Sequence, residues 1–366
     1  MNILLKTGSV IFFLSLFTSL QGQEFMLTDS IQTTISGITY NQLPIQSDTD
    51  FNFLFYSNKN KKQNFELITI KDRVINRMEL KNPNLDGGGG WYKSAVMDNE
   101  KLLLLHVDGF IVIYQKNKKG NYVLEKTLYI DGRYYNTISL LDSENILLSN
   151  SYNSENEKKL YDNFALCVFN LRTKKVTYSK EMDLGKGILL SLSSVAFPIE
   201  SKKNKIAVAH PTLPFIYIYN DSLNPIDTIY VQFQDAVSAD SVIHTVFSDA
   251  YLELNKSKAK EIIQIINDEK INKLEMIEKV FWLSDDVLGY TVHLPLSRER
   301  MFVYYSISEK RELSKRIEPF TMGLNRPYNF ISTPRILINN GKTIWHDFIL
   351  KDDESDMYYK FCFYNM

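Results

Sequence analysis

Aromatic-rich strand pairs recur along the chain at a spacing that few folds allow. Each copy begins with an aromatic residue in an alternating strand, continues through a polar turn, and ends with a second strand. The six copies start at Phe65, Phe110, Phe164, Phe215, Phe302 and Tyr358. Because self-similarity at a fixed period is typical of repeat architectures, the copies predict one repeating domain.

A second pair of strands precedes most copies, and the turns contain the Asp, Asn, Ser or Gly that hairpins require. Each unit is therefore four short strands over roughly 45 to 55 residues, the size of a propeller blade. The pattern predicts an all-β fold, a six-bladed β-propeller of four-stranded antiparallel blades, with seven blades as the alternative. The last unit lacks its fourth strand, and FMLTDSIQTTI from Phe25 resembles the missing piece. We expect this N-terminal strand to close the last blade, because pairing it there removes exposed sheet edges.

The segment from 232 to 278 departs from the repeat. Residues 257–279 place apolar side chains at roughly helical spacing, which predicts a small helical insertion near 253–279. These side chains are Ile262, Ile263, Ile265, Ile266, Leu274 and Ile277. The expected organisation is a signal peptide over 1–22 and a single β-propeller domain over 23–366.

The first 22 residues have the layout of a secretory signal peptide. Lys6 precedes an apolar run from about Val10 to Leu20, and the small residue Gly22 follows. The run is too short for a comfortable membrane span, so we expect an exported protein, periplasmic or secreted, without a transmembrane segment. No cysteine follows the run, so the pattern does not predict a cysteine-anchored lipoprotein. Removing Lys6 with this segment takes the formal net charge from −1 to −2, which argues against a nucleic-acid partner.

The two cysteines occupy matching places in the repeat. Aligning FALCVFN with YKFCFYN puts Cys167 and Cys362 at one register of the third strand, in units three and six. Such units lie on opposite sides of a ring, beyond the ~7 Å Cα separation that a disulfide tolerates. We therefore expect two inert, buried thiols.

The loops that lead into the blades share Gly, Tyr and Asn, as in GITYN from Gly37 and GRYYN from Gly132. One interpretation is geometric, because Gly allows positive φ and Asn caps turns. The other is a ring around the channel mouth that binds a small molecule, glycan or peptide. The four glycines of DGGGGWYK precede a strand, so they do not predict a phosphate loop. The candidate ligand-binding residues are Tyr40, Asn41, Trp91, Tyr92, Lys93, Arg133, Tyr135, Asn136, Arg326, Tyr328 and Asn329.

Four of the five histidines close the second strand of a unit. They are His106, His210, His293 and His346. Converging histidines can hold a divalent metal, which makes a metal at the channel the alternative to having no cofactor. Structural histidines that bond to hairpin backbones are the simpler interpretation, since these strand ends lie one strand out from the channel.

Two classes of function remain open. The favoured class is an extracytoplasmic binding or scaffold propeller without catalysis; the alternative is a metal-dependent lactonase- or lyase-like enzyme acting at the central channel. The sequence contains no G-x-S-x-G elbow, H-E-x-x-H pair or Walker loop. No catalytic residue is therefore assigned.

Three features of the chain together resemble a known group of proteins. They are the leader ending in Gly-Gln, the Gly-rich loop that runs into an aromatic residue and a strand, and the regular spacing of the four-stranded units. The chain is similar to the uncharacterised secreted six-bladed β-propeller proteins of Bacteroidetes. The sequence that carries the resemblance is GGGGWYKSAVMDNEKLLLLHVDGFIVIY from Gly87. The resemblance implies a fold and a compartment, and it implies no catalytic residues.

Overall fold

A computed structural model describes most of the predicted strands and their short turns. The described residues are 27–36, 41–45, 50–57, 64–72, 74–81, 92–106, 108–130, 134–152, 164–182, 198–209, 213–233, 275–294, 299–319, 337–339, 342–350 and 356–365. No helix occurs among them, and therefore none that is long and apolar enough to span a membrane.

The strands form six four-stranded antiparallel sheets, five of which take four consecutive strands each. The first blade consists of β2 (Asn41–Ile45), β3 (Phe51–Ser57), β4 (Asn64–Lys71) and β5 (Val74–Leu80). The second blade consists of β6 (Tyr92–Met97), β7 (Lys101–His106), β8 (Phe110–Lys116) and β9 (Tyr122–Tyr129). The third blade consists of β10 (Tyr134–Leu140), β11 (Asn145–Tyr152), β12 (Phe164–Asn170) and β13 (Lys175–Met182).

The fourth blade consists of β14 (Ile199–Lys202), β15 (Lys205–Ala209), β16 (Phe215–Tyr219) and β17 (Pro225–Tyr230). The fifth blade consists of β18 (Met276–Trp282), β19 (Val287–Leu294), β20 (Glu299–Ser306) and β21 (Arg311–Pro319). The remaining sheet, called the terminal sheet, joins β22 (Leu337–Asn339), β23 (Lys342–Leu350) and β24 (Asp356–Asn365) to β1 (Leu27–Ser36).

The N-terminal strand β1 pairs with the C-terminal strand β24, as the repeat predicted. The pairing runs antiparallel from Leu27 opposite Tyr364 to Ser36 opposite Asp356. Since β22, β23 and β24 supply only three strands, β1 provides the fourth and pairs with the edge of β24 that would otherwise be exposed.

Apolar side chains fill the boundaries between consecutive blades. Four clusters, each drawn from two neighbouring blades, join the first to the second, the second to the third, the third to the fourth and the fourth to the fifth. Leu54 and Leu104 meet at the first boundary, and Leu103 and Leu148 meet at the second. Each buried Leu contributes about 1.5 to 3 kcal/mol, so these clusters hold the blades in a propeller arrangement.

The predicted six-bladed propeller is corrected to five packed blades. Buried side chains pack the five blades against one another in chain order. The terminal sheet is described only by the backbone pairing of its strands. The periodicity of the sequence could count strand units, but it could not show which sheets pack together.

The predicted helical insertion is wrong at its C-terminal end. Met276, Ile277 and Glu278 belong to β18, whereas residues 253–274 lie outside the described part of the chain. A bulge at Glu278 shifts the alternation of β18, because Ile277 pairs with Val292 and Lys279 pairs with Thr291. Ile277, one of the apolar residues on which the helical spacing rested, therefore belongs to a strand, and the other five lie outside the described residues.

The turns between strands one and two, and between strands three and four, lie at one end of each blade, called the turn end. Asp98 accepts the backbone N–H groups of Glu100 and Lys101 at 2.7 and 2.5 Å. Asp142 accepts those of Glu144 and Asn145 at 2.7 and 2.8 Å in the third blade. These side chains satisfy turn amides, so the same short turn forms in successive blades.

The second turn of the blade uses asparagine in the same way. Asn117 accepts backbone N–H groups from Lys119 and Asn121 at 2.9 and 3.0 Å, and Asn220 accepts one from Asn224 at 2.9 Å. Gly120 has φ of 85°, the left-handed conformation that this turn requires and that glycine adopts without strain.

Lysine side chains connect neighbouring blades at the turn end. The Lys101 ammonium donates to the Ser143 carbonyl at 2.8 Å, from the second blade to the third. The Lys205 ammonium donates to the Asp285 carbonyl at 2.7 Å, from the fourth blade to the fifth. Both lysines begin the second strand of their blade, so the repeat itself places these contacts.

Candidate functional site

The opposite end of the blades, called the crossover end, is where strand one begins, strand two ends, strand three begins and strand four ends. Five of the predicted ligand-binding residues are described, and all five lie on first strands at this end. Tyr92, Lys93 and Tyr135 are described with their side chains, and Asn41 and Asn136 through their backbone. The others lie outside the described residues: Tyr40, Trp91, Arg133, Arg326, Tyr328 and Asn329.

Three first strands carry a bulge at one equivalent position near the crossover end. The bulged residues are Lys93 in β6, Asn136 in β10 and Glu278 in β18. In each blade the next residue pairs with the fifth residue of strand two: Leu105, Ser149 or Thr291. Bulges are common beside functional sites because they redirect a side chain, and all three bulged residues are polar.

Lys93 lies next to His106 and Asp108 in the second blade. Burial lowers the pKa of the Lys93 ammonium, and the Asp108 carboxylate partly opposes this shift. Burial also lowers the pKa of His106, again with opposition from Asp108. Because two nitrogen bases are held in a site that disfavours their charge, this end of the second blade is a candidate site for an anionic or hydrogen-bond-accepting ligand.

The hydrogen bonding of His106 fixes its neutral tautomer. Its Nδ1 accepts the backbone N–H of Asp108 at 3.2 Å, so the proton of the neutral ring belongs on Nε2. The side chain is 3% exposed, and the Nε2 atom is buried without a hydrogen-bond partner in the described structure. A buried donor without an acceptor costs free energy, which is a feature of sites that are completed by a ligand.

Aromatic rings form a continuous row across this end of the second blade. The ring centroids of Tyr92 and His106 are 5.2 Å apart, and those of His106 and Phe110 are 6.1 Å apart. The row continues from Phe110 to Tyr129 at 5.2 Å, and Tyr129 is 60% exposed. The row therefore links the buried histidine to an aromatic surface that solvent and ligands can reach.

A second polar cluster surrounds the bulge of the fifth blade. Arg300 donates from Nη2 to Oε1 of Glu278 at 3.0 Å, and its Nε bonds to Oε2 of the same carboxylate. The Arg300 side chain is fully buried and that of Glu278 is 8% exposed. Burial lowers the pKa of the nearby His293, Glu278 opposes the shift, and Arg300 adds to it. The paired charges make this cluster a rigid support and a poor acceptor of further charge.

The first strands of neighbouring blades also meet through polar groups. The hydroxyls of Ser139 and Ser201 are 2.9 Å apart, across the boundary between the third and fourth blades. Burial lowers the pKa of Lys279 on β18, while the carboxylate of Glu200 on β14 opposes this shift. Because first strands line the axis of a propeller, these contacts place polar and charged groups along the channel side of the blades.

The two described histidines do not share a register. His106 pairs with Tyr92 and faces the boundary with the first blade. His293 lies between Val292 and Leu294, which face the fourth blade, so its side chain points to the other side of its sheet. His210 lies outside the described residues, and His346 is described through its backbone on β23. Among described residues there is no group of three or more His, Cys, Asp or Glu side chains arranged for a metal.

Two of the predicted tyrosines are buried, and several polar residues of the crossover end were not predicted from the sequence. Tyr92 is 5% exposed and Tyr135 is 1% exposed, so both rings belong to the cores between blades. Asp108 was missed although it follows His106 by two residues, a spacing that a strand end brings together. Glu278 was missed because residues 257–279 predicted a helix, and no sequence motif identified Arg300. An extra residue in strand one, relative to the other repeats, is the signal that could have identified the bulges.

The cysteine prediction is confirmed for Cys167. It lies on β12, is buried, and is a free thiol. Cys362 lies on β24, the third strand of the terminal sheet, in the matching register opposite Ser30 of β1. The side chain of Cys362 lies outside the described part.

Comparison with known proteins supports the fold and does not extend to a family. No family model and no curated protein matches the chain. Among solved structures, an exported protein from Bacteroides fragilis is similar with a TM-score of 0.50 and 11% identity, covering 94% of this chain and 98% of its own. A member of the DUF4221 family from Bacteroides vulgatus is similar with a TM-score of 0.46 and 10% identity, covering 91% and 98%. The WD40 domain of coronin from Toxoplasma gondii has a TM-score of 0.49 and 7% identity, covering 92% and 87%.

Proposed function

We propose that the protein is an exported β-propeller that binds a ligand or partner at the crossover end of its blades without catalysis. The observation that carries the proposal is the repeated bulge at Lys93, Asn136 and Glu278. One equivalent position in three blades holds a polar residue at the end where propellers commonly bind ligands. The site, and not the fold, carries the function, because propellers serve many unrelated roles.

The chemistry of the second blade suggests the class of ligand. Lys93 supplies an ammonium donor, Asp108 supplies an exposed acceptor, and Tyr129 supplies an aromatic face. A glycan bearing carboxylate groups combines the acceptors, hydroxyls and flat apolar face that these three groups recognise. Acidic peptides share the carboxylates and lack the sugar hydroxyls, which separates the two classes in an experiment.

The test is a thermal-shift screen of the full chain against uronic-acid oligosaccharides, neutral oligosaccharides and acidic peptides. We expect the uronic-acid oligosaccharides to raise the melting temperature, because a ligand that binds the native state stabilises it. Lys93→Met should abolish this shift, whereas Lys126→Met, a matched lysine on the outer strand β9 of the same blade, should retain it. A shift that persists in Lys93→Met, or no shift with any of the three classes, contradicts the proposed site.

A separate measurement tests the proposal that the protein does not catalyse a reaction on its ligand. An oligosaccharide that stabilises the protein should be recovered with unchanged mass after prolonged incubation. A changed product mass that depends on the native protein would show an enzyme and overturn this part of the proposal.

Export is also proposed, from the leader at 1–22. Expression of the full chain in a Gram-negative host should give a processed protein whose mature N-terminus is Gln23. Recovery of the unprocessed chain from the cytoplasm would contradict export.

A further inference from the structure

The outermost strands of four blades share an edge feature that the first blade lacks. A bulge interrupts the pairing of strands three and four opposite Tyr114, Phe169, Tyr219 and Tyr305, in the second to fifth blades. In each of these blades one residue of strand four is left between the partner of this aromatic residue and the partner of the residue before it; these residues are Glu125, Thr177, Ile226 and Leu313. Bulges twist an edge strand and discourage another chain from pairing with it, so these four edges are protected.

The edge of the first blade is regular instead. The pairing of β4 with β5 continues without a shift from Phe65 opposite Leu80 to Lys71 opposite Val74. The two-residue turn between Lys71 and Val74 makes that closing pair hydrogen-bonded, and bonded pairs then alternate along the hairpin. The N–H and C=O groups of Ile75, Arg77 and Glu79 therefore point away from β4, toward an edge with which no described strand pairs.

Two carboxylates and one guanidinium group lie close together on the outer two strands of this blade. Glu79 on β5 lies directly opposite Glu66 on β4, which places two carboxylates side by side. Arg77 pairs with Glu66, from Nη1 to Oε1 at 3.5 Å. Like charges directly opposite each other destabilise a sheet, so a cation on the free side of Glu79 would relieve this pair.

We propose that β5 pairs antiparallel with β5 of a second copy of this chain and forms a symmetric homodimer. In this register Arg77 lies opposite Glu79 of the partner subunit, and Glu79 lies opposite the partner's Arg77. Both contacts follow from one twofold axis, because a symmetric interface repeats each contact. The two carboxylates and two guanidinium groups then alternate across the joined sheets.

The edge geometry favours this register over its neighbour. Arg77 and Glu79 both direct their backbone groups outward, so placing them opposite each other joins groups that can bond in pairs. A register with the axis at Arg77 would place two guanidinium groups opposite each other, which opposes pairing. Met78 lies at the axis, and its side chain packs against the core between the first and second blades. The dimer therefore uses a surface separate from the proposed ligand site.

Light scattering coupled to gel filtration of the full chain tests the dimer. The wild-type protein should elute with the mass of two chains at low ionic strength. Arg77→Glu and Glu79→Arg should each raise the dissociation constant by about tenfold or more, because each places like charges opposite each other twice. The double variant Arg77→Glu with Glu79→Arg restores opposite charges and should dimerise again.

Folding is checked separately, because Arg77→Glu also removes the contact with Glu66. Each variant should unfold with the cooperativity of the wild type, and Arg316→Glu on β21 provides a matched substitution on a protected edge that should leave the dimer intact. A monomeric wild-type protein, a dimer that is unaffected by Arg77→Glu, or a double variant that stays monomeric would each overturn the proposal.

Discussion

At the turn end of the blades Asp98 and Asp142 each accept two backbone N–H groups, whereas at the crossover end Lys93 and His106 are partly or fully buried beside one exposed carboxylate. The first arrangement satisfies the polar groups of a hairpin, and the second holds bases where their charged forms are disfavoured. Groups that reduce stability persist where they serve another purpose. This difference is the physical basis for the proposal that ligands bind at the crossover end.

The largest effect should come from the buried charge pair at the crossover end. Arg300→Met leaves the Glu278 carboxylate buried without its cation, and we expect the free energy of unfolding to fall by roughly 3 to 5 kcal/mol. Adding Glu278→Met removes the stranded charge, so the double variant should regain much of this loss. Urea denaturation followed by fluorescence measures both values.

The matched control is an exposed charge pair at the turn end. Lys203 and Asp285 are in contact with side chains 70% and 58% exposed, so Lys203→Met should leave the urea midpoint unchanged. Equal losses for Arg300→Met and Lys203→Met would show that the two ends do not differ in how they hold charge.

A smaller effect should come from the caps of the turn end. Asp142→Ala removes the acceptor of two backbone N–H groups, which should cost about 1 kcal/mol, as the loss of a capping side chain does elsewhere. Asp142→Asn keeps an acceptor oxygen and should retain most of the stability. If Asp142→Ala unfolds at the wild-type urea concentration, the caps do not stabilise the turn end.

Titration of side chains at the two ends should also lower the stability of the protein in different ranges of pH. Burial lowers the pKa of His106 and His293 below the ordinary value of about 6.5. The unfolded chain therefore binds protons first, and stability present above about pH 6.5 is lost as the pH falls toward the folded pKa values. Burial raises the pKa of Asp142, but hydrogen bonds from Asn145 and from the Glu144 and Asn145 backbones outweigh it and give a net decrease. Its contribution is lost only below about pH 4.

Urea midpoints between about pH 8 and pH 3 resolve these two losses. The double variant His106→Gln with His293→Gln should flatten the upper range and keep the lower one, and Asp142→Asn should do the reverse. An upper loss that is unchanged in the histidine double variant contradicts the assignment to the crossover end.

The smallest expected effects are changes in the free energy of unfolding that have opposite signs when two lysines are replaced. Lys101→Met at the turn end removes the bond to the Ser143 carbonyl and should lower stability by about 0.5 kcal/mol. Lys93→Met at the crossover end removes an ammonium whose pKa is lowered by burial, so it should not lower stability and should raise it slightly. Chemical denaturation in parallel measures the two, and a loss in both variants would erase the contrast between the ends.

Local sequence predicted the hairpins because their signals are local. The copies from Phe110 and Phe164 correspond to β8 with β9 and to β12 with β13. Strand alternation and turn residues act within about ten residues, so they can be recognised without knowing the neighbours. The placement of Cys167 and Cys362 on equivalent strands follows from the same repeat.

The site was less predictable because it depends on register. Lys93 was recognised through its loop, but its proximity to Asp108 requires β6, β7 and the turn after His106 to lie side by side. His106 and His293 looked equivalent in sequence, yet a shift of one residue directs them to opposite sides of their sheets. Glu278 was hidden because residues 257–279 predicted a helix, whereas Met276–Trp282 form the strand β18, whose register shifts at Glu278.

The sequence by itself determined an all-β repeat, the hairpins of each unit, their capping residues and the pairing of β1 with the last sheet. These depend on alternation and turn chemistry, which each short segment carries on its own. Only the tertiary structure decided which five blades pack through shared cores, which first strands bulge, and which buried groups meet at the crossover end. Packing and burial arise between segments that are distant in the chain, so no single segment encodes them.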